Sequence, residues 1–278
     1  MAELRPMRVG EILDAGLAVY RRHFGLLLQV GLVALWLPVA ANVYVQVGGG
    51  QLAHPVLYIF ANVLQYFGSL VLTASAVRII SDSYLGRAPQ LGDAVTFAMS
   101  KVWPLFVVGF GYGLIVGLSA AVVGVVAAVF VPVLAKGGGV VAVLFGAALG
   151  AAALWFVVFV ACGYGLTTQV VVLEDLGSSF DAFGRSWTLT RGFKLKVFAV
   201  AVVAFIIFWI PVAVAGAIGG ALTASAPVLS RVFEVAASVL PIVMTPLLAC
   251  VFTLMYYDLR VRREAFDLEV LGRQLGIG

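Results

Sequence analysis

Five long stretches of this chain contain no Asp, Glu, Lys or Arg: residues 24–77, 102–135, 137–173, 197–230 and 235–257. A helix rises about 1.5 Å per residue, so roughly 20 apolar residues suffice to cross the hydrocarbon core of a bilayer. Four of the stretches each read as one crossing. The first is interrupted by Gly48-Gly49-Gly50-Gln51-Leu52-Ala53-His54-Pro55 and holds two crossings and a turn. The expected spans are 24–47, 55–77, 104–135, 140–173, 197–222 and 235–257, in one integral membrane domain over residues 1–278 with a tail at 258–278.

Composition supports that solvent. Charged residues make up 11% and hydrophobic ones 63%, whereas a soluble domain carries about 25% charged residues. The fold class is therefore all-α, a polytopic six-helix transmembrane bundle. Residues 1–23 carry Glu3, Glu11 and Asp14 ahead of the first span. That span exceeds the roughly 7–15-residue apolar core of a secretory signal, so it is read as retained. Cys162 and Cys250 fall inside spans and are expected to be buried small hydrophobes.

With six crossings, the N-terminus, the second and fourth loops and the C-terminus share one side. That side receives every Lys and Arg of the 17 except Lys136 and Arg231. Basic residues in short loops mark the cytoplasmic side, so both termini are expected in the cytoplasm of a cell whose cytoplasmic membrane holds the chain. The same placement argues against nucleic acid as the partner of a chain of net charge +4. Cations at helix ends suit anionic lipid headgroups, at about 1 kcal/mol each.

Each pair of spans is preceded by a segment of amphipathic helical spacing, which predicts a threefold repeat of amphipathic helix plus two spans. The apolar positions are Val9, Ile12, Leu13, Leu17, Tyr20 and Phe24 in the first, and Leu91, Val95, Ala98, Met99 and Val102 in the second. In the third they are Phe180, Phe183 and Trp187. Glu11, Asp93 and Asp181 stand near the starts, and Arg21, Lys101 and Arg191 near the ends, as a helix dipole favours. Ser178 and Asp181 have the spacing of a capping box. Two dispositions fit: three cytoplasmic-side helices lying in the interface with their apolar faces in the acyl boundary, or extensions of the spans packed on one another.

Within the bundle, Gly113 with Gly117, Gly146 with Gly150, and Gly216 with Gly220 have the spacing of close helix packing, leaving a homo-oligomer open. Gln29, Asn42, Asn62, Gln65 and Gln169 suit interhelical hydrogen bonds, and Pro38, Pro132, Pro211, Pro241 and Pro246 should bend the helices that hold them. Arg231 and Glu234 have the spacing of an interfacial ion pair. His23 and His54 are the only histidines and fall at opposite ends of a span. No metalloprotease, dithiol, serine-elbow or phosphate-loop pattern occurs. The sequence therefore nominates no catalytic, cofactor-binding or metal-ligating residue, and no ionisable residue at mid-membrane depth.

Three blocks resemble a known family. Arg5-Pro6-Met7-Arg8-Val9-Gly10-Glu11-Ile12-Leu13-Asp14, running to Tyr20-Arg21-Arg22-His23-Phe24, is similar to the opening of bacterial proteins related to the membrane domain of glycerophosphoryl diester phosphodiesterase. Phe180-Asp181-Ala182-Phe183-Gly184-Arg185-Ser186-Trp187-Thr188-Leu189-Thr190-Arg191-Gly192 resembles the inner loop of that family. The stretch from Tyr256-Tyr257-Asp258-Leu259-Arg260 to Arg262-Arg263-Glu264-Ala265-Phe266-Asp267-Leu268 resembles its exit. The resemblance implies a multi-pass membrane domain and no phosphodiesterase activity, since in that family catalysis belongs to an appended soluble barrel that the tail here is too short to hold.

The expected function is that of a non-enzymatic scaffold or accessory subunit. Its cytoplasmic rim, with Arg21, Arg22, Lys101, Arg185, Trp187, Arg191, Lys194, Lys196, Arg260, Arg262 and Arg263, would engage anionic membrane lipids or a partner protein. The alternative is a transporter or lipid-translocating protein that uses the bundle interior.

Overall fold

A computed structural model describes residues 6–48, 53–136 and 139–264. The described residues form nine helices and no strand: α1 Val9–Arg22, α2 Phe24–Val47, α3 Pro55–Tyr84, α4 Leu91–Lys136, α5 Val140–Tyr164, α6 Thr167–Leu173, α7 Asp181–Thr190, α8 Lys194–Leu222 and α9 Pro227–Glu264. Six helical segments are long and apolar enough to cross a membrane. The turn residues 49–52 and the tail 265–278, with Arg273, lie outside the described residues.

The surface is inverted relative to a soluble protein. Along α4, Phe110, Leu114, Leu118, Val122 and Val125 are exposed, each by 47% or more, and so are Phe205, Ile206, Trp209 and Ile210 along α8. Lipid tails are as apolar as leucine, so such a face loses nothing by staying outside. The interior is also apolar: Leu27, Val30, Leu35, Leu72, Val77 and Leu254 are almost completely buried in one core.

Several spans run past their expected ends. α4 is one 46-residue helix, about 69 Å long at the usual rise, which passes through Pro104. The second amphipathic segment is therefore the first part of α4, and Lys101 lies inside a helix where no dipole end exists for it to complement. α1 and α7 are separate helices. The fourth span is divided, α5 ending at Tyr164 and α6 starting at Thr167. Pro38, Pro211, Pro241 and Pro246 lie inside helices that continue through them.

Where α1 and α7 meet the bundle, their faces are occupied by protein. Ile12, Gly16 and Tyr20 of α1 are buried, the Tyr20 hydroxyl donates to the Val243 carbonyl at 2.9 Å, and Gly16 lies against Val251 of α9. In α7 the buried residues are Ala182, Ser186, Leu189 and Thr190. Phe180 is 66% exposed. Phe183 and Trp187 pack by their rings on glycines, Gly111 of α4 and Gly163 of α5 respectively. The Arg8 amide donates to Glu11 Oε2 at 2.6 Å, and the Ser178 amide to Asp181 Oδ2 at 2.9 Å, so both acids serve at helix starts.

The glycines that make helix contacts are not the expected pairs. Gly113, Gly117, Gly150, Gly216 and Gly220 face open space. Close approach occurs instead at Gly31, where a Cβ would stand 2.9 Å from the Ile242 carbonyl oxygen, and at Gly68, 2.5 Å from that of Ala34. The span amides are likewise mostly local: Asn42 donates to the Pro38 carbonyl and Asn62 to that of Tyr58, one turn back on their own helices. Gln169 is buried with its Oε1 unpartnered. Among the described residues an interhelical amide bond is made by Gln46, to Ser238 Oγ at 2.9 Å. Glu234 accepts from Ser230 Oγ at 3.2 Å, and no ion pair joins it to Arg231 among the described residues.

Gly68→Ala is expected to lower stability by about 1–3 kcal/mol, because the added methyl meets backbone that cannot swing aside. Gly117→Ala, in open space on a helix, should be neutral or gain up to about 1 kcal/mol. Thermal unfolding of both variants in one detergent checks the pair, and equal midpoints would contradict the α2–α3 packing.

Candidate functional site

The charges gather at one end of the bundle, which holds the starts of α1 and α8 and the end of α9. Its centre is Asp258, 1% exposed. The carboxylate forms an ion pair with Lys196 and accepts from Arg262 Nε at 3.1 Å and from the Met7 amide at 2.6 Å. Lys196 Nζ and Arg262 Nη2 also donate to the Met7 carbonyl, at 2.7 and 2.8 Å. One acid thus joins the chain start to α8 and α9. A buried pair adds little net stability over an apolar replacement, but loss of one partner leaves an uncompensated charge.

A second cluster lies on Glu174, just after α6. Its Oε1 accepts from the Tyr256 hydroxyl at 2.7 Å and its Oε2 from Arg185 Nε at 2.7 Å. Arg185 also reaches Glu264 through Nη2 at 2.8 Å, and Arg260 Nε meets the same carboxylate at 3.0 Å. Hydrogen bonding to Glu264, more than to Glu174, holds the Arg185 guanidinium above its usual range despite the opposing effect of burial. Between these clusters, Tyr257 shares a 2.6 Å hydrogen bond with Ser81 and stacks on Tyr84 at 5.2 Å.

The interrupted fourth span places the third group of residues. Ending α5 at Gly163-Tyr164-Gly165 frees carbonyls that a continuous helix would have used. The Gly163 carbonyl is taken by the Ser186 and Thr190 hydroxyls of α7, at 3.0 and 3.1 Å, while Ser186 Oγ accepts from the Leu166 amide at 3.3 Å. Ser186 and Thr190 of α7 therefore point inward. Beyond α7, Arg191 (φ −58°, ψ 125°) and Gly192 (φ 82°) make a tight turn closed by the Phe193 amide on the Thr190 carbonyl at 2.9 Å. This is a type II turn, whose third position needs glycine. It turns the chain directly into α8.

That turn borders a cavity of about 450 Å³ between α5 and α8. Trp155, Phe159, Trp187 and Phe198 supply aromatic walls, and Arg191 and Lys194 the positive charge. Lys194 Nζ stands 3.1 Å from the centroid of the Trp187 ring and 3.3 Å from that of Phe159, over the bare backbone of Gly163. It has no hydrogen-bond acceptor among the described residues.

The expected rim residues thus separate into distinct roles. Arg185, Lys196, Arg260 and Arg262 are held in ion pairs within the chain. Trp187, Arg191 and Lys194 line the cavity. Arg263 donates to the Arg191 carbonyl and lies 5.7 Å from the Phe193 ring. Arg21 and Arg22 are exposed at the end of α1. Lys101 stands apart from all of these, 5.7 Å from the Phe97 ring, which Arg78 also covers at 4.9 Å. Reasoning from sequence missed the acids that organise this end, Glu174, Asp258 and Glu264. The available signal was that Asp258 and Glu264 stand among Arg260, Arg262 and Arg263 in the sequence, whereas Glu174 has no base near it and gave no such signal. Among the described residues no group of three or more His, Cys, Asp or Glu is placed to hold a metal ion. Comparison with protein-family models, curated proteins and solved structures gives no match.

Asp258→Ala is expected to cost about 3–5 kcal/mol, because Lys196 and Arg262 lose their shared counter-charge. Arg21→Ala, at an exposed position, should stay within about 0.5 kcal/mol. Unfolding midpoints of the two variants test this, and a harmless Asp258→Ala would remove Asp258 as the organising residue.

Proposed function

We propose that this chain is a non-enzymatic scaffold or accessory subunit of the cytoplasmic membrane, with both termini in the cytoplasm and its basic end against anionic lipid headgroups. The observation that supports it is the contrast between interior and end. The interior is packed with apolar side chains such as Leu27, Leu35, Leu72 and Leu254, each at most 1% exposed. The charged groups at the basic end are fixed to one another across α6, α7, α8 and α9. A packed apolar interior offers a polar solute no path, so translocation through the bundle has less support. A rigid end with Arg21, Arg22 and Arg263 at its surface suits the attraction of cations to anionic headgroups.

Kinship with the membrane domain of glycerophosphoryl diester phosphodiesterase is part of the same proposal. It rests on the three blocks at 5–24, 180–192 and 256–268. Within them, Asp181, Arg185, Asp258, Arg260, Arg262 and Glu264 all make helix-start or ion-pair contacts. Contacts of this kind would be shared by relatives that differ in lipid-facing residues.

Purification in mild detergent, with the bound lipids and proteins identified, tests the function. Anionic phospholipid should be enriched over zwitterionic, and the enrichment should fall as salt screens the surface charges. Retention of both lipid classes in membrane proportions at every salt concentration would defeat the reading.

Orientation has its own test. Cys162 and Cys250 are buried, which keeps background labelling low. A membrane-impermeant maleimide applied to intact cells should label Ala53→Cys and Ser225→Cys, but Pro89→Cys and Gly177→Cys only after permeabilisation. The opposite pattern would reverse the topology.

A further inference from the structure

The cavity between α5 and α8 has features that a general basic surface does not explain. Lys194 Nζ is covered by the Trp187 and Phe159 rings and has no acceptor among the described residues. Contact with two aromatic faces offsets only part of the cost of removing an ammonium from its hydrogen-bond partners. The charge therefore suits an anion that the described residues do not supply. Arg191 borders the same space, and α8 begins there with no side-chain cap on its first-turn amides. Free amides at a helix start, with the helix dipole behind them, favour a phosphate-like group.

The apolar part of the site continues down the helix. From the cavity wall at Leu195 and Phe198, the outward face of α8 carries Val202, Phe205, Trp209 and Ala213. Steps of three or four residues keep these on one stripe. The last four, with Ile206 and Ile210, line a shallow apolar hollow of about 370 Å³. From Leu195 to Ala213 the stripe is about 27 Å long at the usual rise, which matches most of the roughly 30 Å hydrocarbon core. Cationic at one end and apolar along its length, it complements a single kind of molecule.

We propose that the flank of α8 is a stoichiometric site for one anionic phospholipid, its phosphate against Lys194, Arg191 and the first-turn amides of α8, and an acyl chain along Phe198, Val202, Phe205 and Trp209. This deepens the lipid-contact reading above and rests on it. The two separate experimentally: Arg21 and Arg22 serve the general attraction and are not among the residues that line this cavity, whereas Lys194 serves the single site.

Native mass spectrometry of the full chain in detergent, titrated with phosphatidylglycerol or phosphatidylcholine, provides the measurement. One phosphatidylglycerol should bind per chain and phosphatidylcholine much more weakly. Lys194→Gln should weaken the phosphatidylglycerol adduct about tenfold, as for loss of one charge-assisted hydrogen bond. Phe205→Asp, at a position that is 54% exposed, should weaken both lipids. Arg21→Ala with Arg22→Ala should leave the one-to-one adduct intact even where it lowers bulk enrichment. Wild-type phosphatidylglycerol binding in both Lys194→Gln and Phe205→Asp overturns the site. Inorganic phosphate displacing the lipid at equal concentration would make it a free-anion site. A protein dimer that Phe205→Asp separates, with no lipid adduct, would make the flank an interface between copies of the chain. Either result overturns the proposal. Should Lys194→Gln not fold, Arg191→Gln and Phe205→Asp carry the same comparison.

Discussion

The arrangement at the basic end depends on a carboxylate that water does not reach. Asp258 is deep enough that its charge has to be answered by the protein, and Lys196, Arg262 and the Met7 amide answer it. Because these groups come from the chain start, α8 and α9, satisfying one charge fixes the relative positions of three segments far apart in sequence. Glu174 does the same for α6, α7 and α9 through Arg185 and Tyr256. In a bundle whose outer faces gain nothing from leaving lipid, such polar ties supply specificity that apolar packing lacks.

The same logic explains which helices pack through glycine. A glycine contributes to association only where another backbone comes close. Gly31 and Gly68 meet backbone atoms of α9 and α2, and Gly163 meets the Trp187 ring. Gly113 and Gly117 lie among the exposed side chains of α4 and meet nothing. Four-residue spacing is compatible with close packing but does not say which face of a helix has a neighbour.

The six crossings were legible because charge-free runs record directly which residues avoid water, and no tertiary knowledge is needed to read them. The basic end follows from the same signal. The extent of α4 was not legible: Pro104 reads as a helix start, and the structure carries the helix through it from Leu91. The inward face of α7 was hidden for a different reason. Phe180, Phe183 and Trp187 form the more apolar stripe, but the broken end of α5 needs hydroxyls, so Ser186 and Thr190 are turned inward. At the site, the bases were visible and their partners were not. The sequence separations of 62 residues between Lys196 and Asp258 and 79 between Arg185 and Glu264 are set by topology. Lys194 and Lys196 look equivalent in sequence, yet one is paired with an acid and the other is enclosed by aromatic rings.

The open end of α5 also bears on how the three repeat-like units relate. The fourth crossing does not terminate its own hydrogen bonding; the Gly163 carbonyl is stitched by hydroxyls from the following unit. The first unit is fastened to the last through Met7 and Asp258. A chain whose pattern suggests three interchangeable modules is therefore interlocked. Removing or transplanting one helix pair would leave raw polar ends in the others, so the array holds together as a single piece, unlike a solenoid that can be lengthened or shortened by whole repeats.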